Sequence, residues 1–197
     1  MTAPTAYVTA AVAKAAVEGL NDFTDTQVEA CVSEFESIFE RYRGFSAIPR
    51  TVSEEVGNRP LGSSLFLAWP LVTTLTSITC DSTAISIADV VLIKERGEIH
   101  NILTWPGPPV HSVLVAYTHG LAAVPPMVER MTIEYVNRTL RAQDMGTGRD
   151  VLSEGFDGGA TRYVTPDWNK GRPTGWLEVD RLLNSQPDRR RPQVGAG

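Results

Sequence analysis

The apolar positions change period along the chain, and each change marks an expected element. From Thr24 to Arg43, Val28, Cys31, Val32, Phe35, Ile38, Phe39 and Tyr42 step by three and four along one side, which predicts an amphipathic helix. Thr24 and Gln27 stand at capping-box spacing, Arg41 and Arg43 fall in the last turn, and Gly44 follows as a stop. From Phe45 the pattern becomes that of strands. Ala47–Val56 predicts one with Pro49 at its edge, and Leu65–Leu67 leads through Trp69-Pro70 to a Thr- and branched-rich strand over Leu71–Thr79. Asp81 and Ser82 read as a turn. Asp89–Lys94 and Glu98–Leu103 read as a hairpin around Glu95, Arg96 and Gly97.

The stretch Val113–Leu140 organises the rest. Val113, Val115 and Tyr117 alternate with Leu114, Ala116 and Thr118 in a strand that Gly120 ends. Pro125 and Pro126 then open a second helix, where a missing N–H costs nothing because the first helical donors have no intrahelical partner. It runs to Asp144 with two adjacent apolar stripes, Val128, Met131 and Tyr135 beside Ile133, Val136 and Leu140. So wide a face predicts a helix packed on two sides, against the first helix and against either the sheet or a neighbouring copy. Gly146 and Gly148 close it.

Outside this frame the pattern thins. Val8–Gly19 predicts a marginal, Ala-rich helix, in an arm that is ordered only against something else. Beyond Asp150, glycines alternate with the single aromatics Phe156, Tyr163, Trp168 and Trp176, and Leu177–Leu183 predicts a short helix. Such aromatics either fold back onto the domain or anchor on another chain. Pro187–Gly197, rich in Arg, Pro and Gly, reads as disordered when alone. The expected class is α+β: two long helices in a small bundle, an antiparallel β-rich insertion, and extended arms at both ends. The expected division is an arm over 1–23, one domain over 24–150 (β insertion 45–119, helix 126–144) and an extension over 151–197.

Composition narrows the function classes. A net charge of -5 argues against gripping nucleic acid by phosphate neutralisation. The charge is uneven: Glu18, Asp22, Asp25, Glu29, Glu34, Glu36 and Glu40 occur with no intervening Lys or Arg, whereas Arg181, Arg189, Arg190 and Arg191 gather near the end. Such blocks read as solvated faces, or as complementary contacts between copies or with a partner. Two cysteines, Cys31 and Cys80, make no disulfide framework and suit a reducing compartment. No signal-peptide pattern opens the chain, and the stretch Tyr7–Leu20 is too short and mixed to span a membrane.

Candidate chemistry is sparse. His100, His111 and His119 have no Cys, Asp or Glu at metal-ligand spacing. Tyr117 and His119 are the one plausible proton-transfer pair, read more simply as a packed tyrosine and a turn histidine. No G-x-S-x-G elbow occurs. Gly146-Thr147-Gly148 lacks the third glycine of a dinucleotide fingerprint and follows a helix. No cofactor is expected. Asn137-Arg138-Thr139 matches a glycosylation sequon but falls inside the second helix.

Taken in order, the acidic helix, Trp69-Pro70, the hairpin, Trp105-Pro106, V-x-V-x-Y-T-H-G over Val113–Gly120, Pro125-Pro126 and the helix through Leu140 resemble the head–tail adaptor (connector) proteins of long-tailed bacteriophages. Phe156–Tyr163, Gly175-Trp176-Leu177 and Asp180–Asn184 carry the likeness into the extension; the first 23 residues do not share it. The resemblance implies a non-enzymatic virion protein: a homo-oligomeric ring of twelve copies in the neck, assembled in the bacterial host cytoplasm. Such a ring lies between the portal protein and a tail-side neck or terminator protein, and double-stranded DNA passes through without sequence-specific binding. It also implies that the extension meets the portal or a neighbouring copy, with Tyr163, Trp168, Trp176, Leu177, Leu182 and Leu183 as its contacts. Glu29, Glu36 and Glu40 are the candidates for channel or inter-subunit charge. The alternatives are another neck or tail ring (a tail terminator or completion protein), a β-rich ligand-binding module using Trp69, Trp105, Trp168 or Trp176, and an enzyme using Tyr117 and His119.

Overall fold

The computed structural model describes residues 4–58, 64–101, 112–144, 151–153, 162–163 and 165–189. They form helices and antiparallel sheets, an α+β fold as expected. The chain divides into a sheet unit, Gly44–Ala123, and a helical unit that combines Pro4–Arg43 with Val124–Gly197.

The sheet unit holds two antiparallel sheets. One has the order β1-β7-β3-β4: β1 (Arg50–Asn58), β7 (Ser112–His119), β3 (Val72–Cys80) and β4 (Thr83–Ala84). The other has the order β2-β6-β5: β2 (Ser64–Phe66), β6 (Glu98–Asn101) and β5 (Val90–Ile93). The predicted alternation in β7 is present, with Val113, Val115 and Tyr117 buried and Leu114, Ala116 and Thr118 half-buried. Its neighbour β3 breaks period two: Val72, Leu75 and Ile78 are buried at intervals of three. Two bulges, between Val72 and Thr74 and between Leu75 and Ser77, each insert one residue, so these side chains fall opposite His119, Tyr117 and Val115. An extra residue re-phases a strand, and here it keeps a three-residue spacing on one face. The core comprises Leu65, Leu67, Leu75, Ile78, Ile99 and Tyr117 with their neighbours.

Three turns fix this unit. Asp81 and Ser82 both take positive φ, the two-residue turn that matches hairpin twist. Gly97, at φ +57, closes the β5–β6 hairpin after a 3-10 turn over Lys94–Arg96; a Cβ there would lie 2.2 Å from the Trp69 carbonyl oxygen. Gly120 ends β7 at φ +103, where a Cβ would lie 2.1 Å from the Ile48 carbonyl oxygen. Only glycine fits such places without strain.

In the helical unit α2 spans Asp25–Arg43, one residue from the expected start. The capping box forms: Gln27 Oε1 accepts the Thr24 N–H at 2.9 Å, and Thr24 Oγ1 accepts the Gln27 N–H at 3.3 Å. The helix α3 spans Pro126–Asp144, and α4 spans Leu177–Asn184. The Phe35 and Tyr135 rings lie 5.2 Å apart where α2 meets α3. Both predicted stripes of α3 are buried except Ile133, which is half-buried, so most of the apolar surplus expected of this helix is absorbed by the chain itself. The N-terminal helix α1 is shorter than predicted, Ala10–Ala16, with a 3-10 turn over Glu18–Leu20. Its alanines permit close approach: Val8, Ala10, Ala13 and Leu20 pack with Val28, Val32, Val136 and Leu140. Strands β8 (Val151–Ser153) and β9 (Arg162–Tyr163) form a separate pair.

Candidate assembly surfaces

Segments from the N-terminal and C-terminal parts of the chain, around Tyr7 and around Leu183–Arg189, return to α2 inside the helical unit. At the N-terminal side, the Tyr7 N–H donates to Glu36 Oε1 at 2.6 Å and the Tyr7 hydroxyl donates to Glu40 Oε1 at 3.2 Å. The Tyr7 ring meets Phe39 edge-on at 5.6 Å. Glu36 is 7% exposed, so two of the three acids picked out as channel or inter-subunit charge hold the chain's own leading segment. Glu29, the third, is exposed.

At the C-terminal side, the buried Arg43 donates through Nε to the Leu183 carbonyl at 2.7 Å, with Nη2 on the same oxygen. The Tyr42 hydroxyl donates to Asn184 Oδ1 at 2.8 Å. Asp180 ties α4 to the loop before it, accepting the Thr174 N–H at 2.9 Å, the Thr174 hydroxyl at 2.7 Å and the Gly175 N–H at 3.2 Å. Burial pushes the Asp180 carboxyl above the ordinary carboxylate range, against the lowering effect of those donors and of Arg172.

These contacts place the predicted extension residues. Trp176 is 6% exposed and donates its indole N–H to Thr139 Oγ1 at 3.2 Å. Leu183 is fully buried and Leu182 half-buried. Of the two possibilities for the aromatics, Trp176 takes the first: it folds back. Trp168 and Leu177 remain 39% and 40% exposed. Trp168 packs on Tyr42 at 5.6 Å, and the Arg41 guanidinium lies 5.0 Å over its ring. The backbone of Tyr163 pairs with Val151; its side chain, together with Trp105, Phe156, His111, Arg190 and Arg191, lies outside the described residues.

The sheet unit presents a different surface. On the three-stranded sheet, Phe66 and Val91 are 54% and 50% exposed. Between them runs a polar chain that the sequence reading missed. Ser64 Oγ lies 3.0 Å from His100 Nδ1, and His100 Nε2 lies 2.8 Å from Glu98 Oε1. Glu98 and His100 sit at spacing two on β6 and Ser64 pairs with His100 across strands, so one face collects all three. Glu98 is buried, and a buried carboxylate needs polar partners; the His100 ring nitrogen and, at 3.8 Å, the Arg96 guanidinium supply them. Strand alternation was the available signal, but it required knowing that β2 pairs with β6.

Tyr117 and His119 do not form an open proton-transfer pair. Tyr117 is fully buried, His119 is 2% exposed, and His119 stacks on Trp69 at 4.9 Å. That stacking also takes up one face of Trp69 as a ligand platform. Burial, with a smaller contribution from Glu34, pushes the Cys31 thiol up, away from thiolate character. Burial and the neighbouring Glu34 carboxylate likewise raise the Tyr135 phenol. Among the described residues no group of three His, Cys, Asp or Glu could hold a metal ion, and no helix is long and apolar enough to cross a membrane.

No family model and no curated protein matches the chain. Among solved structures, the fold is similar to that of a chain from the neck of an empty gene transfer agent (GTA) particle, computed with C6 symmetry: the TM-score is 0.56 at 13% identity, over 89% of this chain and 83% of that one.

Proposed function

We propose that this protein is a structural component of a phage-like virion neck, acting as a head–tail adaptor. Copies join in a ring, twelve in number, beneath the portal. The ring continues the DNA channel and offers the tail-side neck or terminator protein its platform. The observation that carries this reading is the fold likeness to a chain of a GTA particle's neck, which spans most of both chains. The order of motifs from Trp69-Pro70 to the Pro126 helix supports it independently. The C6 symmetry of that neck structure is one that a ring of twelve satisfies. The chemistry agrees. The Tyr117–His119 pair is buried, the Cys31 thiol is held protonated, and a net charge of -5 suits a conduit through which DNA slides without specific contacts.

Electron microscopy of the full chain mixed with its cognate portal tests the proposal. The expected image is a closed ring of twelve copies capping the portal, its open side free for a tail-side protein. A ring that binds only the tail side would assign the chain to a terminator or completion role. A chain that binds neither would refute the neck reading.

A further inference from the structure

The helical unit has two electrically opposite ends. Around the start of α2, Asp22, Asp25 and Glu29 are exposed; Lys14 pairs with Asp25 at 2.5 Å, and Arg141 lies against Gly19. Around the end of α2 stand Arg41, Lys170, Arg172 and Arg189, partly offset by Glu40 in the last turn, by Asp188, and by Asp167, which lies 3.5 Å from the Lys170 ammonium. Four contacts bring those residues there: the Arg41 guanidinium over Trp168, the Tyr42 ring against Trp168, Gly171 beside the Tyr42 hydroxyl, and the Arg189 N–H on the Arg43 carbonyl at 2.9 Å. The helix between them has 19 residues, so the ends are about 27 Å apart at 1.5 Å per residue. Charges that far apart do not neutralise each other, because screening at physiological salt acts over about 8 Å.

Among the described residues of this unit, the apolar side chains shown to solvent include Val12 (44% exposed) on α1, the helix whose Lys14 pairs with Asp25, and Trp168 (39%) under Arg41. An exposed Trp under an Arg, among further cations, has the composition of an interface anchor. An acidic pole and a basic pole on opposite ends of one unit are the requirement for a head-to-tail contact that repeats from copy to copy.

We propose that the occupant of the Trp168–Arg41 platform is the acidic end of α2 from a second copy of this chain, so that neighbouring subunits of the ring join helical unit to helical unit. Asp22 and Glu29 of one copy meet Arg41 and Lys170 of the next, and Trp168 packs beside Val12. This rests on the ring reading above and adds to it the surface that closes the ring.

The test is light scattering on the full chain over a range of concentration and salt, for wild type, Glu29→Arg, Arg41→Glu, their double variant and an equimolar mixture of the two single variants. Asp22→Arg and Lys170→Glu serve as a second pair should either of the first fail to fold. Each single variant should need about tenfold more protein to assemble, because like charges then face each other. The double variant and the mixture should recover, since both restore opposite charges at the contacts. Single variants that assemble like wild type would overturn the polar contact while leaving the ring intact. A wild-type chain that stays monomeric at every concentration, with and without its portal, would overturn both readings.

Discussion

In the sheet unit the least tolerant positions are places in the backbone; in the helical unit they are side chains that tie distant segments together. Gly97 and Gly120 take positive φ against a carbonyl oxygen, and bulges set the phase of β3. In the helical unit Tyr7 reaches Glu36 across 29 residues, and Arg43 reaches Leu183 across 140. The first unit is closed by where the chain can turn. The second is closed by polar clasps between α2 and the segments around Tyr7 and Leu183. The clasped segments carry the residues proposed above for assembly, Arg41 and Trp168 among them.

The sharpest way to break the contrast is at Gly120. Alanine there would combine a disfavoured φ of +103 with a Cβ 2.1 Å from the Ile48 carbonyl oxygen. The expected loss is about 3 kcal/mol, read by urea denaturation as a lower midpoint. A loss below about 1 kcal/mol would mean that the corner relaxes easily, and the backbone account of the sheet unit would be wrong.

A smaller effect is expected at Arg43. Its guanidinium donates twice to the Leu183 carbonyl, at a site 5% exposed. Arg43→Ala should cost about 2 kcal/mol, the scale of a charged hydrogen bond, and should expose α4 to proteolysis ahead of the sheet unit. Lysine should rescue it only partly, because an ammonium lacks the planar fork. If limited proteolysis cut both units at equal rates in the alanine variant, the clasp would have no local role.

The same contrast explains what the sequence made legible. Periodicity located α2, α3 and the buried face of β7, because burial there follows one residue spacing; the β5–β6 hairpin was legible from Gly97 and the spacing around it. The Thr24–Gln27 box was visible because both partners lie within one turn. The β3 core spacing was not visible, since the bulges that create it depend on β7. Nor were the clasps. Arg43 read as a helix-end charge and Glu36 as a candidate for channel or inter-subunit charge, and each makes its contact with a segment far away in sequence. For Trp176 the residue pattern left open whether it turned inward or outward; Thr139, on a different helix, supplies the indole's partner. Local rules reach local partners, and the candidate site is assembled from non-local ones.

The finest test of the clasped unit is electrostatic and turns on Asp180. Burial raises its carboxyl pKa in the folded chain above the unfolded value, and the Thr174 and Gly175 donors with Arg172 recover only part of that cost. The folded state therefore binds more protons than the unfolded state between the two values, and stability falls as pH rises through that window. The contribution is fully present below the unfolded pKa and lost above the folded one, opposite in sign to that of an ion-paired surface carboxylate. Asp180→Asn cannot titrate. It keeps an acceptor for Thr174 but turns an amide toward the Gly175 N–H, at a cost of about 1 kcal/mol. Measured across the acidic range, the stability of wild type minus that of the asparagine variant should decline as pH rises and then level off. A difference that climbs with pH would mean that the donors outweigh desolvation, so that the carboxylate is a net stabilising anchor of α4 at neutral pH.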